Sequence, residues 1–129
     1  MRKRPLQALG DLEAMVMSVA WARPSVTARE VCARMTGTRE RAYTTVMTTL
    51  DRLHRKRLLR RHKDGLAWRY EPTLTKREFE RALADDLAAQ ILTAHGDAAL
   101  HAFVDAAANV DERLLEKLRL LIEERRKER

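Results

Sequence analysis

Apolar residues recur along this chain at helical spacing, then at strand spacing, then at helical spacing again to its end. Leu9, Leu12, Val16 and Val19 fall at i, i+3, i+7 and i+10, which predicts an amphipathic helix over 11–22, stopped ahead of Pro24, with Trp21 covering core. Ser25-Val26 reads as a short extended piece. Thr27-Ala28-Arg29-Glu30 is a capping box with Val26 and Val31 at the staple positions. It opens a second helix over 28–35, which Gly37 can terminate in a left-handed conformation. A third helix is expected over 43–56, because residues placed about 100° apart put Val46, Leu50 and Leu53 on one stripe. Beyond it, 58–62 and 66–71 read as strands bracketing Lys63-Asp64-Gly65; Asp-Gly between strand-like runs signals a hairpin, and Pro72 ends the second strand.

From residue 74 the pattern is helical throughout. Leu74, Thr75 and Glu78 repeat the staple, cap and box, opening a fourth helix in which Phe79, Leu83, Leu87 and Ile91 follow every four residues until Gly96 closes it. A fifth helix over 97–107 aligns Leu100, Phe103 and Val104, and a sixth over 111–126 aligns Leu114, Leu115, Leu118, Leu121 and Ile122. About 55 residues is marginal for an independent core. This half is therefore expected to pack against its own copy, with Leu83, Leu87, Ile91, Leu100, Phe103, Leu114, Leu115, Leu118, Leu121 and Ile122 in a homodimer interface. The alternative is that these helices fold back on the first half of the same chain. The expected fold is mainly α: an N-terminal winged helix-turn-helix of three helices and a β-hairpin wing over 1–73, then a three-helix dimerisation domain over 74–129.

The face of the third helix opposite its apolar stripe carries Thr44, Thr48, Arg52 and Arg55. Hydroxyls and guanidinium groups make a poor core but a good groove-facing surface, since Thr can bond base edges or phosphates and Arg can engage guanine bidentately. The helix reads as a DNA-recognition helix. Charge follows the same division: residues 1–72 carry 16 Lys+Arg against 7 Asp+Glu, while residues 73–129 carry 10 against 12. The asymmetry favours a nucleic-acid module joined to a module with another job. Lys63 at the expected wing tip, with Arg60, Arg61 and Arg69 along its strands, can reach phosphates beside the groove and position the domain.

Other classes find little support. No His-Glu-x-x-His, P-loop or glycine-rich dinucleotide motif is present, so an enzyme is not expected, nor is a cofactor or metal. His54, His62, His95 and His101 are not at metal-ligand spacing; a weak site across a dimer through His95 and His101 stays open. Cys32 stands alone, which rules out an intramolecular disulfide and reads as a small buried hydrophobe, with a redox-sensing thiol as the alternative. No apolar run approaches a membrane span and charges interrupt the start, so a cytoplasmic protein is expected. The rival to DNA recognition is a winged helix used for protein or RNA binding, in which Arg52 and Arg55 belong to a solvated face and Asp51 pairs with Arg55.

LGDLEAMVM near the start, AYTTVMTTLDRL in the third helix and a wing ending WRYEP together resemble the BlaI/MecI-type penicillinase repressor family, over essentially the whole chain. The resemblance implies a dimeric repressor that binds a dyad-symmetric DNA operator. By position, its DNA-facing residues fall on Ala42, Tyr43, Thr44, Thr45, Thr48 and Arg52. In some members a membrane sensor metalloprotease, triggered by a β-lactam, cuts the C-terminal half at an Asn-Phe bond. The corresponding pair here is Ala102-Phe103, in which the Phe is kept and the Asn is not. Copper-responsive relatives carry a cysteine-rich C-terminal motif; LLIEERRKER contains no cysteine, so copper sensing by that route is not expected.

Overall fold

A computed structural model of the chain describes residues 9–35 and 43–129. The expected helix end at Gly37 and the position Ala42 lie outside the described residues. The elements in order are α1 (Asp11–Trp21), β1 (Val26–Thr27), α2 (Ala28–Arg34), α3 (Tyr43–Arg55), β2 (Leu59–Asp64), β3 (Ala67–Pro72), α4 (Lys76–Val110) and α5 (Glu112–Lys127). They form two compact units, residues 1–84 and 85–129. The division falls inside α4, past the boundary at 73 that the change in sequence pattern suggests.

In the first unit, local signals become structure as the sequence implies. Thr27 Oγ1 accepts from the Glu30 N–H at 3.2 Å while Glu30 Oε1 accepts from the Thr27 N–H at 2.9 Å, and Val26 and Val31 beside them are fully buried. Thr75 and Glu78 make the same reciprocal pair at the start of α4. The third helix ends in a Schellman turn: the Leu58 N–H reaches the Leu53 carbonyl at 3.0 Å and the Arg57 N–H reaches the His54 carbonyl at 2.9 Å, with Arg57 at φ 65°. Leu53 and Leu58, at the two positions that touch in this motif, are both buried.

The extended piece at Val26 does more than lead into α2. It is the edge of a three-stranded antiparallel sheet of order β1-β3-β2, with Val26 opposite Tyr70 and Thr27 opposite Arg69. The hairpin turns one residue later than expected. Asp64 pairs with Ala67, leaving Gly65-Leu66 as the two-residue loop, and Gly65 takes the positive φ of 66° that such a loop needs at its first position. Lys63 consequently sits on the strand opposite Trp68 and not at the tip.

Val16, Met17 and Ala20 of α1, Val31 of α2, Val46, Leu50 and Leu53 of α3, Leu59 and Tyr70 of the sheet and Phe79 of α4 share one core. Cys32 is partly buried against it. Phe79 and Leu83, expected with the dimerisation helices, belong to this core. The Phe79 ring lies 5.5 Å from that of Trp21, whose Nε1 donates to the Leu74 carbonyl at 2.9 Å, and Leu83 packs on the same cluster. The amphipathic repeat cannot tell which body a helix's first turns will meet, and Leu83, expected at the interface, is partly buried against this core.

Glu13 is the charged member of the buried set. Its Oε2 accepts from Lys56 Nζ at 2.7 Å and its Oε1 from the Gly10 N–H at 3.1 Å, which joins α1 to the end of α3. Burial alone would raise its pKa, but the Lys56 and Gly10 hydrogen bonds and the charges of Lys56 and Arg52 outweigh burial and lower it. A lowered folded pKa stabilises the protein above the ordinary value of 4.5, and that contribution is lost as pH falls through the folded value. Glu13→Gln should therefore cost about 1–3 kcal/mol near neutral pH. The gap to wild type should close in urea unfolding below pH 4.5; a gap independent of pH would show that the charge contributes nothing.

In the second unit, α4 runs on through Gly96 to Val110, with one residue, His95, out of helical geometry at φ −140° and ψ 40°. The break expected at Gly96 between two helical segments is present one residue earlier, at His95, and Gly96 itself does not take a positive φ. Asp111 then caps α5, accepting from the Arg113 N–H at 2.9 Å. No described helix is long and apolar enough to cross a membrane.

Candidate nucleic-acid interface

α3 buries Val46, Thr49, Leu50 and Leu53 and exposes Tyr43, Thr44, Thr45, Met47, Thr48, Arg52 and Arg55. Thr44, Thr48, Arg52 and Arg55 of this set are the face anticipated from periodicity, Tyr43 and Thr45 were expected from the family resemblance, and Met47 from neither. An apolar residue on a polar face leaves no periodic signal, so Met47 escaped the sequence pattern. Thr48 Oγ1 donates to the Thr44 carbonyl at 2.8 Å, and Thr49 does the same to Thr45. With its proton engaged, the Thr48 hydroxyl oxygen faces outward as an acceptor, suited to a cytosine or adenine amino group, and its methyl is suited to a thymine methyl. The exposed Arg52 side chain has no hydrogen bond or close ion pair among the described residues, although its charge acts on Glu13, so its fork of donors is available.

Arg55 lies near the centre of the same face, but its Nε is paired with Asp51 Oδ2 at 3.1 Å. On the wing, register places Arg61, Lys63, Trp68 and Tyr70 on one side of the hairpin and Arg60, His62, Asp64, Arg69 and Glu71 on the other. Arg61 Nη1 donates to Asp51 Oδ1 at 3.1 Å, and its guanidinium carbon stands 4.4 Å from the Trp68 ring centroid. The Tyr70 hydroxyl, and after it Asp51, favours the charged guanidinium and raises its pKa. Lys63 Nζ lies 4.5 Å from the same ring.

Arg69 is the most heavily paired of the expected phosphate-contacting cations. It bonds Asp64 Oδ2 at 3.0 Å, Ser25 Oγ at 3.1 Å and Glu30 Oε1 at 3.2 Å, so its charge is matched by two carboxylates and ties β3 to β2 and to the cap of α2. These partners lie 5 to 44 residues away in sequence and could not be read from local pattern. Arg60 pairs with Glu71 at 2.6 Å on that same side. Of the wing cations, Lys63 and Arg61 share the side that α3 reaches through Asp51; Arg60 and Arg69 do not.

In the second unit, Leu87, Ile91, Leu100 and Phe103 of α4 and Leu114, Leu115, Leu121 and Ile122 of α5 are all exposed, Leu118 is half-buried, and α5 buries no residue at all. Ala102 and Phe103 lie exposed within helical α4.

Comparison with known proteins agrees with this layout. A sequence profile described as penicillinase repressor matches residues 9–124. The transcriptional regulator BlaI of Mycobacterium tuberculosis, in strains CDC 1551 / Oshkosh and ATCC 25618 / H37Rv alike, is 42% identical over 86 residues, which is 66% of this chain. The match spans 62% of the length of those curated relatives. The solution structure of the DNA binding domain of the repressor BlaI is 32% identical, covers 60% of this chain and 93% of its own, and superposes with a TM-score of 0.50. With the profile running through both units, from α1 into α5, the chain belongs to the penicillinase repressor family.

Proposed function

We propose that this chain is a sequence-specific DNA-binding transcriptional repressor that acts as a homodimer on a dyad-symmetric operator in the cytoplasm. The observation that carries the reading is the exposed face of α3, where Thr44, Thr45, Thr48 and Arg52 project from a helix anchored by Val46, Leu50 and Leu53. BlaI relatives are named as transcriptional regulators, and the related solved domain is named as binding DNA. Lys63 and Arg61 on the wing supply phosphate contacts beside the groove, with Tyr43 at the start of α3 against the sugar-phosphate edge.

The homodimer is supported by the second unit. An amphipathic helix that buries nothing has no reason to keep its leucines aligned unless another surface covers them. A second copy fits that surface and would present two α3 helices to half-sites about one helical turn apart or a small multiple of it. Occupancy of an operator overlapping a promoter would exclude polymerase. A membrane sensor metalloprotease could relieve repression by cutting between Ala102 and Phe103, which would sever α4 inside the proposed interface.

Arg52→Ala tests the reading directly. If Arg52 engages a guanine, the substitution should cost about 1–3 kcal/mol on the operator and relax preference at one position. Competition by an operator duplex should exceed that by random duplex by roughly 10³ for the wild type. Equal weakening on all sequences would reduce Arg52 to a phosphate contact, and equal competition by both duplexes would remove the proposal.

A further inference from the structure

Asp51 is an acidic residue on a face built to meet a polyanion. Its side chain remains 37% exposed, and its two oxygens serve two different elements: Oδ2 holds Arg55 of α3 and Oδ1 holds Arg61 of β2. Arg61 in turn lies against Trp68, and Lys63 lies against the same ring. A continuous run of polar and cation–π contacts therefore leads from the exposed face of α3 to the outer part of the wing.

The base of the wing is fixed by other means. Leu59 and Tyr70 are buried, and His54 Nδ1 donates to the Leu59 carbonyl at 3.1 Å. Beyond them, residues 62–68 are all exposed. On the side of the hairpin shared with α3, Arg61 links this outer part to the helix, bonding Asp51 at one end and lying against Trp68 at the other. A carboxylate here lowers attraction to phosphate generally, because it neutralises Arg55 and Arg61 in part. Its geometry offers a compensating effect: it holds both guanidinium groups, and the wing strand that carries one of them, in a single arrangement.

Resting on the proposed DNA-binding function, we propose that Asp51 is a positioning residue for sequence discrimination. It holds Arg55 and Arg61 in the register that a matching groove accepts, and it withholds both from the phosphates of a non-matching duplex. The residue lowers overall affinity and raises the ratio of specific to non-specific binding.

The test uses the full chain, its selected operator duplex and a random duplex of equal length, with affinities measured across roughly 50–200 mM salt. For Asp51→Asn, random-duplex binding should tighten about tenfold and its logarithmic salt slope should steepen by about 1–2, one for each guanidinium freed. Operator binding should change by less than roughly threefold, so discrimination falls at least about threefold, to about a tenth if operator affinity is unchanged. If both duplexes tighten equally and discrimination is kept, Asp51 acts only as a repelling charge and the inference is overturned. The same substitution in an Arg61→Gln background should lose at least about half of its logarithmic effect, as expected for coupled neighbours; an undiminished effect would show that Arg61 takes no part and overturn the inference that Asp51 positions the wing. A wild-type chain that prefers no duplex would refute the DNA-binding function and this inference with it, and that failure shows in the unmutated protein alone.

Discussion

Truncation of the chain after Ala84 is expected to weaken operator binding by about 10²- to 10⁴-fold while leaving the winged-helix unit folded. The first compact unit ends at Ala84, so this cut keeps Leu74, Phe79 and Leu83 on their core. What it removes is the exposed apolar surface of α4 and α5 through which we propose the second copy binds. Two linked recognition helices gain from effective concentration, because the second half-site is engaged within one complex; separate monomers lose that gain. A cut at Pro72 would not make the same test. It would remove Leu74, whose carbonyl receives the Trp21 indole N–H, together with Phe79, so lost binding would report damage to the fold. Sedimentation of the full chain and the 1–84 fragment, alongside anisotropy titrations of operator DNA, checks the prediction. A fragment that sediments as a monomer yet binds as tightly as the full chain would exclude a role for the C-terminal unit in affinity.

Phe79→Ala carries the second large effect, a loss of about 3–5 kcal/mol in the stability of the first unit. Phe79 is 5% exposed and lies 5.5 Å from Trp21, so its removal leaves a cavity and deprives the indole of its ring partner. Against a total of about 5–15 kcal/mol for a typical domain, the loss is enough to populate unfolded chains at modest temperature. Urea unfolding followed by tryptophan fluorescence, with Trp21 and Trp68 both in the first unit, measures it. Phe103→Ala provides the contrast: at 45% exposure in the second unit, Phe103 should leave unfolding of the first unit unchanged and shift only self-association. Similar destabilisation by both substitutions would contradict the division of α4 between a core-facing start and a partner-facing remainder.

Features set by neighbours a few residues apart were legible in the sequence. The capping boxes at Thr27 and Thr75, the amphipathic face of α3 and the Asp-Gly hairpin each depend on spacing within one or two turns of chain, and each is present. Features set by distant partners were not. The buried Glu13 carries no local mark of its burial, because its partner Lys56 lies 43 residues on. Arg61 and Arg69 look equivalent in sequence, yet strand alternation sends one to Asp51 and Trp68 and the other to Asp64, Ser25 and Glu30. The helix repeat through Phe79, Leu83, Leu87 and Ile91 is uniform, although its first two members meet the winged-helix core and its last two are exposed. The break that Gly96 suggested was legible to within one residue, since the two helical segments of α4 separate at His95.

The central claim is that this chain reads a particular DNA sequence as a dimer, and selection of bound duplexes from a random pool by the full chain at stated salt tests it most directly. The account predicts enrichment of a dyad-symmetric motif whose half-sites repeat at about one helical turn or a small multiple of it, with preference at one base relaxed by Arg52→Ala. Recovery of a pool with no enriched motif, at a salt concentration where binding is still measurable, would contradict it.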